Sequence, residues 1–192
     1  MNETLDFYAA NAAAYVTDGK VNPRLPAFLA LMPAGGRVLE LGTGSGADAE
    51  AMLREGFDVD PTDGSPELAA EATRRLGRPV RQLRFEDIAA EAAYDGIYAS
   101  ATLLHARRDG LPAIVRRLHR ALRPHGVVWA SFKGGSAEGF DRLGRYYNYV
   151  DADDLRRLFA EDWTGVAIET WQGSGYDRQP TQWHAVTARR QA

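Results

Sequence analysis

A chain of 192 residues, 45% hydrophobic and 26% charged, has the size and composition of one globular domain with a substantial core. Its formal net charge of -3 excludes a surface built to hold a polyanion, so nucleic acid is not an expected partner; the absence of cysteine excludes disulfides and thiolate metal sites, and no metal is expected. The apolar stretches, such as 126–130, fall far short of the roughly 20 residues of a membrane helix, and the first residues, with Glu3 and Asp6, lack the layout of a signal peptide, so a cytoplasmic protein without a membrane partner is expected.

Residues 1–34 read as a helical lid segment, with helices over 4–15 and 26–31 outside the repeating unit that follows. From about Arg37 onward, apolar runs of strand length alternate with segments of helical period, the signal of parallel βαβ units. The first strand is 37–41, announced by Pro33, Gly35 and Gly36, and a helix over 47–54 follows it. A second strand over 57–62 runs into Asp63-Gly64-Ser65-Pro66, where Ser65 suits an N-cap and Pro66 the first helical position. Leu68, Ala69, Ala72 and Leu76 give that helix its apolar stripe. A third strand is expected over 79–85, then the short acidic connection Glu86-Asp87-Ile88, then a fourth strand over 94–100. The helix 111–122 turns Ile114, Val115, Leu118 and Leu122 inward and carries Arg116, Arg117, Arg120 and Arg123 on a solvated face. A fifth strand over 127–132 completes a cofactor-binding core of residues 35–132.

Residues 133–192 form the substrate side: an irregular Gly- and Tyr-rich stretch over 134–149, a helix around 153–159, and strands over 165–171 and 182–188 joined by the polar loop 173–180. That loop is too short for a parallel crossover, so the last two strands should pair antiparallel. The expected fold is α/β: a Rossmann-like, seven-stranded, mostly parallel sheet with an antiparallel C-terminal hairpin and helices on both faces.

Chemistry concentrates on Glu40-Leu41-Gly42-Thr43-Gly44-Ser45-Gly46, a glycine-rich turn leaving a strand and entering a helix, where the backbone can approach a ligand closely. Asp63 follows at the end of the second strand, about 20 residues on, where a carboxylate can accept both ribose hydroxyls of an adenosine. The glycine spacing is not the Gly-x-Gly-x-x-Gly that seats a pyrophosphate on a helix N-terminus. Glu40 would repel a pyrophosphate but suits a ligand bearing an ammonium and a sulfonium; pairing with a nearby arginine is its other reading. Glu86 and Asp87 follow the third strand, where one could accept from an adenine amino group or both could dress a helix start. Ser100-Ala101-Thr102-Leu103-Leu104-His105 follow the fourth, small residues and then apolar ones suited to the floor of a transfer pocket. Four successive strands thus deliver candidate groups at their C-terminal ends, where open α/β sheets bind ligands.

These motifs, the strand Val38-Leu39-Glu40-Leu41 into its glycines, the Asp63-Gly64-Ser65 turn and Leu122-Arg123-Pro124-His125-Gly126, resemble those of class I S-adenosylmethionine-dependent methyltransferases over nearly the whole chain. Within that family the chain looks similar to small-molecule enzymes of the tellurite-resistance and quinone-biosynthesis type. The resemblance implies S-adenosylmethionine as cofactor and transfer of its methyl group to a small-molecule acceptor. It places Glu40, Gly42, Gly44 and Gly46 on the methionine part, Asp63 with Gly64 and Ser65 on the ribose, and Glu86 and Asp87 beside adenine, with Ser100 and Leu104 on the floor. The sequence departs from the family pattern at Thr43, often Cys, at His125, usually Gly, and at Pro61, which removes a backbone donor near Asp63.

Tyr8 and Tyr15 are expected to cover the cofactor, their ring faces attracting a sulfonium, or simply to pack the first helix onto the sheet. His105 is the candidate base if the acceptor is a hydroxyl; otherwise it caps or packs beside its loop. Lys133, Arg145, Tyr146 and Tyr147 are the candidate substrate contacts, and two inward cations would favour an anionic acceptor. A nicotinamide-dependent oxidoreductase and a non-catalytic S-adenosylmethionine-binding module are the alternatives, and a monomer or homodimer is the expected assembly.

Overall fold

The computed structural model describes residues 3–17, 19–176 and 178–192. Its strands are β1 (Arg37–Leu41), β2 (Asp58–Asp63), β3 (Arg81–Gln82), β4 (Tyr94–Ala99), β5 (Leu122–Lys133), β6 (Glu138–Phe140), β7 (Tyr146–Asn148), β8 (Trp163–Ser174) and β9 (Pro180–Arg190). The helices are α1 (Glu3–Thr17), α2 (Leu25–Leu29), α3 (Ala47–Arg54), α4 (Pro66–Leu76), α5 (Leu111–Ala121) and α6 (Ala152–Leu158). Seven strands form one sheet in the order β3-β2-β1-β4-β5-β9-β8, parallel through β5 and antiparallel beyond it, as expected from the sequence.

Alternation along the central strands splits the core between the two faces of the sheet. Val38, Tyr98, Val127 and Trp129 pack with Phe28 of α2 and Met52 of α3, while Leu39, Leu41, Ile97, Val128 and Ala130 pack with Ile114 and Leu118 of α5 and Leu155 of α6. Strands covered on both faces in this way read as nearly continuous apolar runs. At about 25 cal/mol per Å² of apolar surface, each fully buried Leu or Ile contributes about 1.5–3 kcal/mol. Ser65 caps α4 by accepting from Leu68 N, and Pro66 opens that helix as expected.

The third strand is shorter than the expected 79–85. Only Arg81 and Gln82 pair, with Thr62 and Asp63, because β3 is an exposed edge and the chain turns at once into a one-turn 3-10 helix, Phe85–Asp87. Pro61 leaves the parallel register of β1 and β2 intact through Leu41 and Thr62, so Asp63 keeps its place at the strand end. The stretch expected to be irregular contains the two-stranded β6–β7 hairpin, with Phe140 opposite Tyr146. Strands β8 and β9 extend further than expected and shorten the loop between them to 175–179, of which Asp177 lies outside the described residues.

Candidate functional site

The glycine turn after β1 is held in a shape that side chains resist. Gly42, Gly44 and Gly46 have φ of 68°, 53° and 78°, in the left-handed region that costs an L-residue about 1–2 kcal/mol. Space adds a second constraint: a Cβ on Gly42 would meet Thr102 Oγ1 at 2.3 Å, and one on Gly44 would meet Tyr15 Cε1 at 3.1 Å. The turn is tied to its neighbour strand by Thr43 N donating to Thr62 O at 2.9 Å. Asp63 then joins two turns, accepting from Gly44 N at 3.0 Å and from Ser65 N at 2.9 Å. A carboxylate has about four acceptor positions, so Asp63 retains capacity for a ligand hydroxyl. Burial pushes its pKa up to about 6, against the pull of those amides.

Glu40 is buried beneath the turn, where the Thr43 hydroxyl donates to its Oε2 at 2.5 Å. Burial lifts its pKa to about 8, with the nearby Asp48 and Asp63 charges adding to the rise and the Thr43 hydrogen bond opposing it. Thr43, a departure from the family pattern, thus acts as a local brace for the acid.

A cavity of about 280 Å³ runs along this edge of the sheet. Leu83, Arg84, Phe85 and Glu86 close one end; Asp63, Gly64, Gly42 and Gly44 form the middle; Ser100, Ala101 and Thr102 make the floor after β4. Ala101 sits at φ 50°, a strained value for a non-glycine residue, and its N–H donates to Ser131 Oγ at 2.8 Å. Thr4, Leu5, Tyr8 and Tyr15 of α1 form the roof, and His105 marks the far end. Glu40, Gly46, Ser65, Asp87 and Leu104 do not reach the wall.

His105 lies in the one-turn 3-10 helix Leu103–His105. Its Nδ1 is 2.7 Å from Tyr146 O, and a carbonyl only accepts, so Nδ1 carries the proton. Nε2 therefore presents a lone pair, to which the Tyr8 hydroxyl donates at 2.9 Å. Burial pushes the imidazole pKa down to about 4, the Tyr146 carbonyl opposing the shift and the Arg145 and Lys133 charges adding to it. His105 is thus neutral at physiological pH, with Nε2 as its acceptor.

The four expected substrate contacts, Lys133, Arg145, Tyr146 and Tyr147, are all buried behind this end and do not line the cavity. Lys133 Nζ lies 4.1 Å from the Tyr147 ring, and that ring lies 4.7 Å from His105. Two buried cations therefore stand behind the imidazole. Leu83, Arg84, Phe85 and Arg107 line the cavity without having been singled out from the sequence. Phe85 directly precedes the acidic pair that was, whereas Arg107 carries no local signal.

The sequence profile of a methyltransferase domain matches residues 13–184. The ubiquinone biosynthesis O-methyltransferase of Xanthomonas axonopodis pv. citri (strain 306) is 34% identical over 108 residues, which span 53% of this chain and 44% of that protein. The chain therefore covers less than half the length of that relative. Among solved structures, the 1,6-didemethyltoxoflavin-N1-methyltransferase of Burkholderia thailandensis, with 1,6-didemethyltoxoflavin and S-adenosylhomocysteine bound, superposes with a TM-score of 0.78 at 21% identity, covering 99% of this chain and 88% of that one. A structure described for the conversion of a disulfide bond into a thioacetal group during echinomycin biosynthesis gives a TM-score of 0.75 at 26% identity, covering 98% and 93% of the two chains.

Proposed function

This chain belongs to the methyltransferase-domain family, whose methyl donor is S-adenosylmethionine, and from that premise we propose that it methylates a hydroxyl of a small-molecule acceptor. One observation carries the choice of a hydroxyl: the far end of the cavity presents a neutral imidazole whose Nε2 accepts from the Tyr8 hydroxyl, so a proton taken up at Tyr8 has a path to the ring. The O-methyltransferase relative supports the same reading.

The wall fits the donor in its chemistry. Phe85 and Glu86 offer an apolar face and an acceptor for adenine, Asp63 accepts from the ribose, and the bare backbone of Gly42 and Gly44 admits the methionine part. Tyr8 and Tyr15 cover it from above. Glu40 supports the turn from beneath and would ionise in the field of the ammonium; Gly46, Ser65, Asp87 and Leu104 act one layer behind, by shaping those turns. When bound, S-adenosylmethionine would supply an electrophilic methyl group.

The chain's own residues then do three things. The roof excludes water. The floor, with Ser100, holds the acceptor for in-line approach, an orientation that can supply about 7–11 kcal/mol of a barrier. Tyr8 would take the acceptor's hydroxyl proton as it passes its own to His105 Nε2, with Nδ1 staying on the Tyr146 carbonyl throughout. Lys133 and Arg145 stand behind the imidazole, where their charges keep it neutral in the resting site, and Tyr146 and Tyr147 fix the ring that takes the proton.

No described helix is long and apolar enough to cross a membrane. A cytoplasmic location, a monomer or homodimer, and a division into a lid over 1–34, a cofactor core over 35–132 and a substrate side over 133–192 belong to the same proposal. Calorimetry with S-adenosylmethionine, S-adenosylhomocysteine and NAD tests it. Saturable binding of the first two without NAD is expected; silence toward both methyl-cofactor forms would end the reading.

A further inference from the structure

Arg145 has the least exposure of any charged side chain described, 1%, yet it does not line the cavity. Its guanidinium is fixed by Asp141, whose Oδ2 accepts from Nε at 3.0 Å and from Nη2 at 2.7 Å. The other carboxylate oxygen, Oδ1, accepts from the backbone N–H of Leu143 and of Arg145, so one acid sets both the 141–145 turn and the guanidinium plane.

Around that plane stand rings from three separate parts of the chain. The guanidinium carbon lies 5.1 Å from the Phe7 ring of α1, 5.2 Å from Tyr147 of β7 and 5.4 Å from Tyr176 in the β8–β9 loop. Tyr176 stacks on Tyr15 at 5.5 Å and meets Phe7 edge-on at 6.0 Å, which closes the ring of contacts back onto α1. The guanidinium charge also acts on the Tyr8 phenol, the group that donates to His105 Nε2. Guanidinium stacking and fork geometry allow one Arg to serve several planar partners at once, which an ammonium cannot do.

We propose that Arg145 is a positioning residue of the transfer site: touching neither cofactor nor acceptor, it ties α1 and the β8–β9 loop to the β6–β7 hairpin and holds the Tyr8 hydroxyl on His105. Closure of the roof and readiness of the base are then set by one buried cation. The inference rests on the proposed role of His105. Facing the imidazole are Tyr8 from α1, Tyr147 and the Tyr146 carbonyl from β7, Lys133 from β5, and Arg145 with Asp141 from the hairpin turn.

Two readouts on the whole protein test it without knowledge of the acceptor: amide hydrogen exchange over residues 3–17, and titration of His105 by imidazole NMR. Arg145→Met should speed exchange in α1 at least tenfold and raise the His105 titration, which still stays below the ordinary value because burial remains. Arg145→Lys should return the low titration, since the charge is back, but not the slow exchange, since the fork to Asp141 and the Tyr8 contact are lost. That split is one a merely structural residue does not give. Tyr176→Ser, at a half-exposed ring, should speed α1 exchange with His105 unmoved, and it carries the test if Arg145→Met fails to fold. Wild-type exchange in Tyr176→Ser and Arg145→Lys, or an unmoved His105 in folded Arg145→Met, overturns the proposal. S-adenosylhomocysteine calorimetry on the wild-type protein reads the cofactor assignment alone, so the two failures are separable.

Discussion

The two ends of the cavity are held together by different kinds of bond. At the proposed cofactor end, backbone meets backbone or a neighbouring turn: Thr43 N on Thr62 O, and Gly44 N and Ser65 N on Asp63. At the proposed acceptor end, side chains reach across long separations, with Tyr8 meeting His105 at a distance of 97 residues and Tyr146 N meeting Thr4 Oγ1 at 142. Helix α1 buries only Thr4 and Ala12 fully, so its place depends on these polar and aromatic fastenings more than on a core. A turn fixed by its own strands is formed before any ligand arrives. A roof fastened by a few side chains can open at small free-energy cost, as ligand-binding lids must.

Replacing His105 by Gln probes the acceptor end with the largest expected effect. The amide cannot take a proton at neutral pH, so methyl transfer should fall by about 10²–10⁴-fold, followed as S-adenosylhomocysteine released with a panel of hydroxyl acceptors. Cofactor affinity should stay at its wild-type value. A matching fall in affinity would show that the two ends are one unit and break the contrast.

Gly42→Ala should be the most damaging change at the cofactor end. The left-handed φ and the clash with Thr102 together remove about 2–4 kcal/mol of stability, read by chemical denaturation, and close the turn to ligand. Gly144 offers the matched control in the hairpin turn, with φ of 78° and open space for a Cβ, so Gly144→Ala should lose only about 1–2 kcal/mol. Equal losses would mean that Thr102 yields and the cradle is not rigid. Asp63→Ala should weaken S-adenosylhomocysteine binding by about 1.5–3 kcal/mol through its charged hydrogen bonds. Unchanged affinity in calorimetry would leave Asp63 as a joint between turns and nothing more.

The same contrast governs what could be read from the sequence. The order of strands and helices, the antiparallel close, the glycine turn and Asp63 were legible because each is written in a local pattern of period, cap or turn. The β6–β7 hairpin was not, since strands of three residues carry no usable period, and the edge strand β3 was overestimated because Val80 packs against α4 before it and Leu83 and Phe85 lie past its two paired residues. His125 stood out as a departure from glycine, and its φ of 65° is the conformation glycine would hold at ease. Tyr8 and His105 were each singled out, but no sequence pattern announces that they meet. The cage around Arg145 draws on Phe7, Tyr147 and Tyr176, three positions that only the folded chain brings together.

The smallest expected effect is a pH dependence, and it bears on whether Glu40 belongs to the cofactor end or only braces it. With its pKa at about 8 in the free protein, Glu40 is largely protonated at neutral pH. A cofactor ammonium nearby favours the ionised form, so binding at pH 7 should release a proton, and affinity should rise with pH by at most about tenfold per unit before levelling above pH 8. The stability of the free protein should run the other way. A carboxyl whose folded pKa is raised binds its proton more tightly folded than unfolded, so this group's contribution is full below the unfolded value near 4.5 and is lost as pH rises to about 8. Calorimetry at pH 7 in phosphate and in Tris, buffers of different ionisation heat, reads the released proton directly. Equal heats in the two, with affinity flat from pH 7 to 9, would place the ammonium out of reach of Glu40 and leave that carboxyl to Thr43 alone.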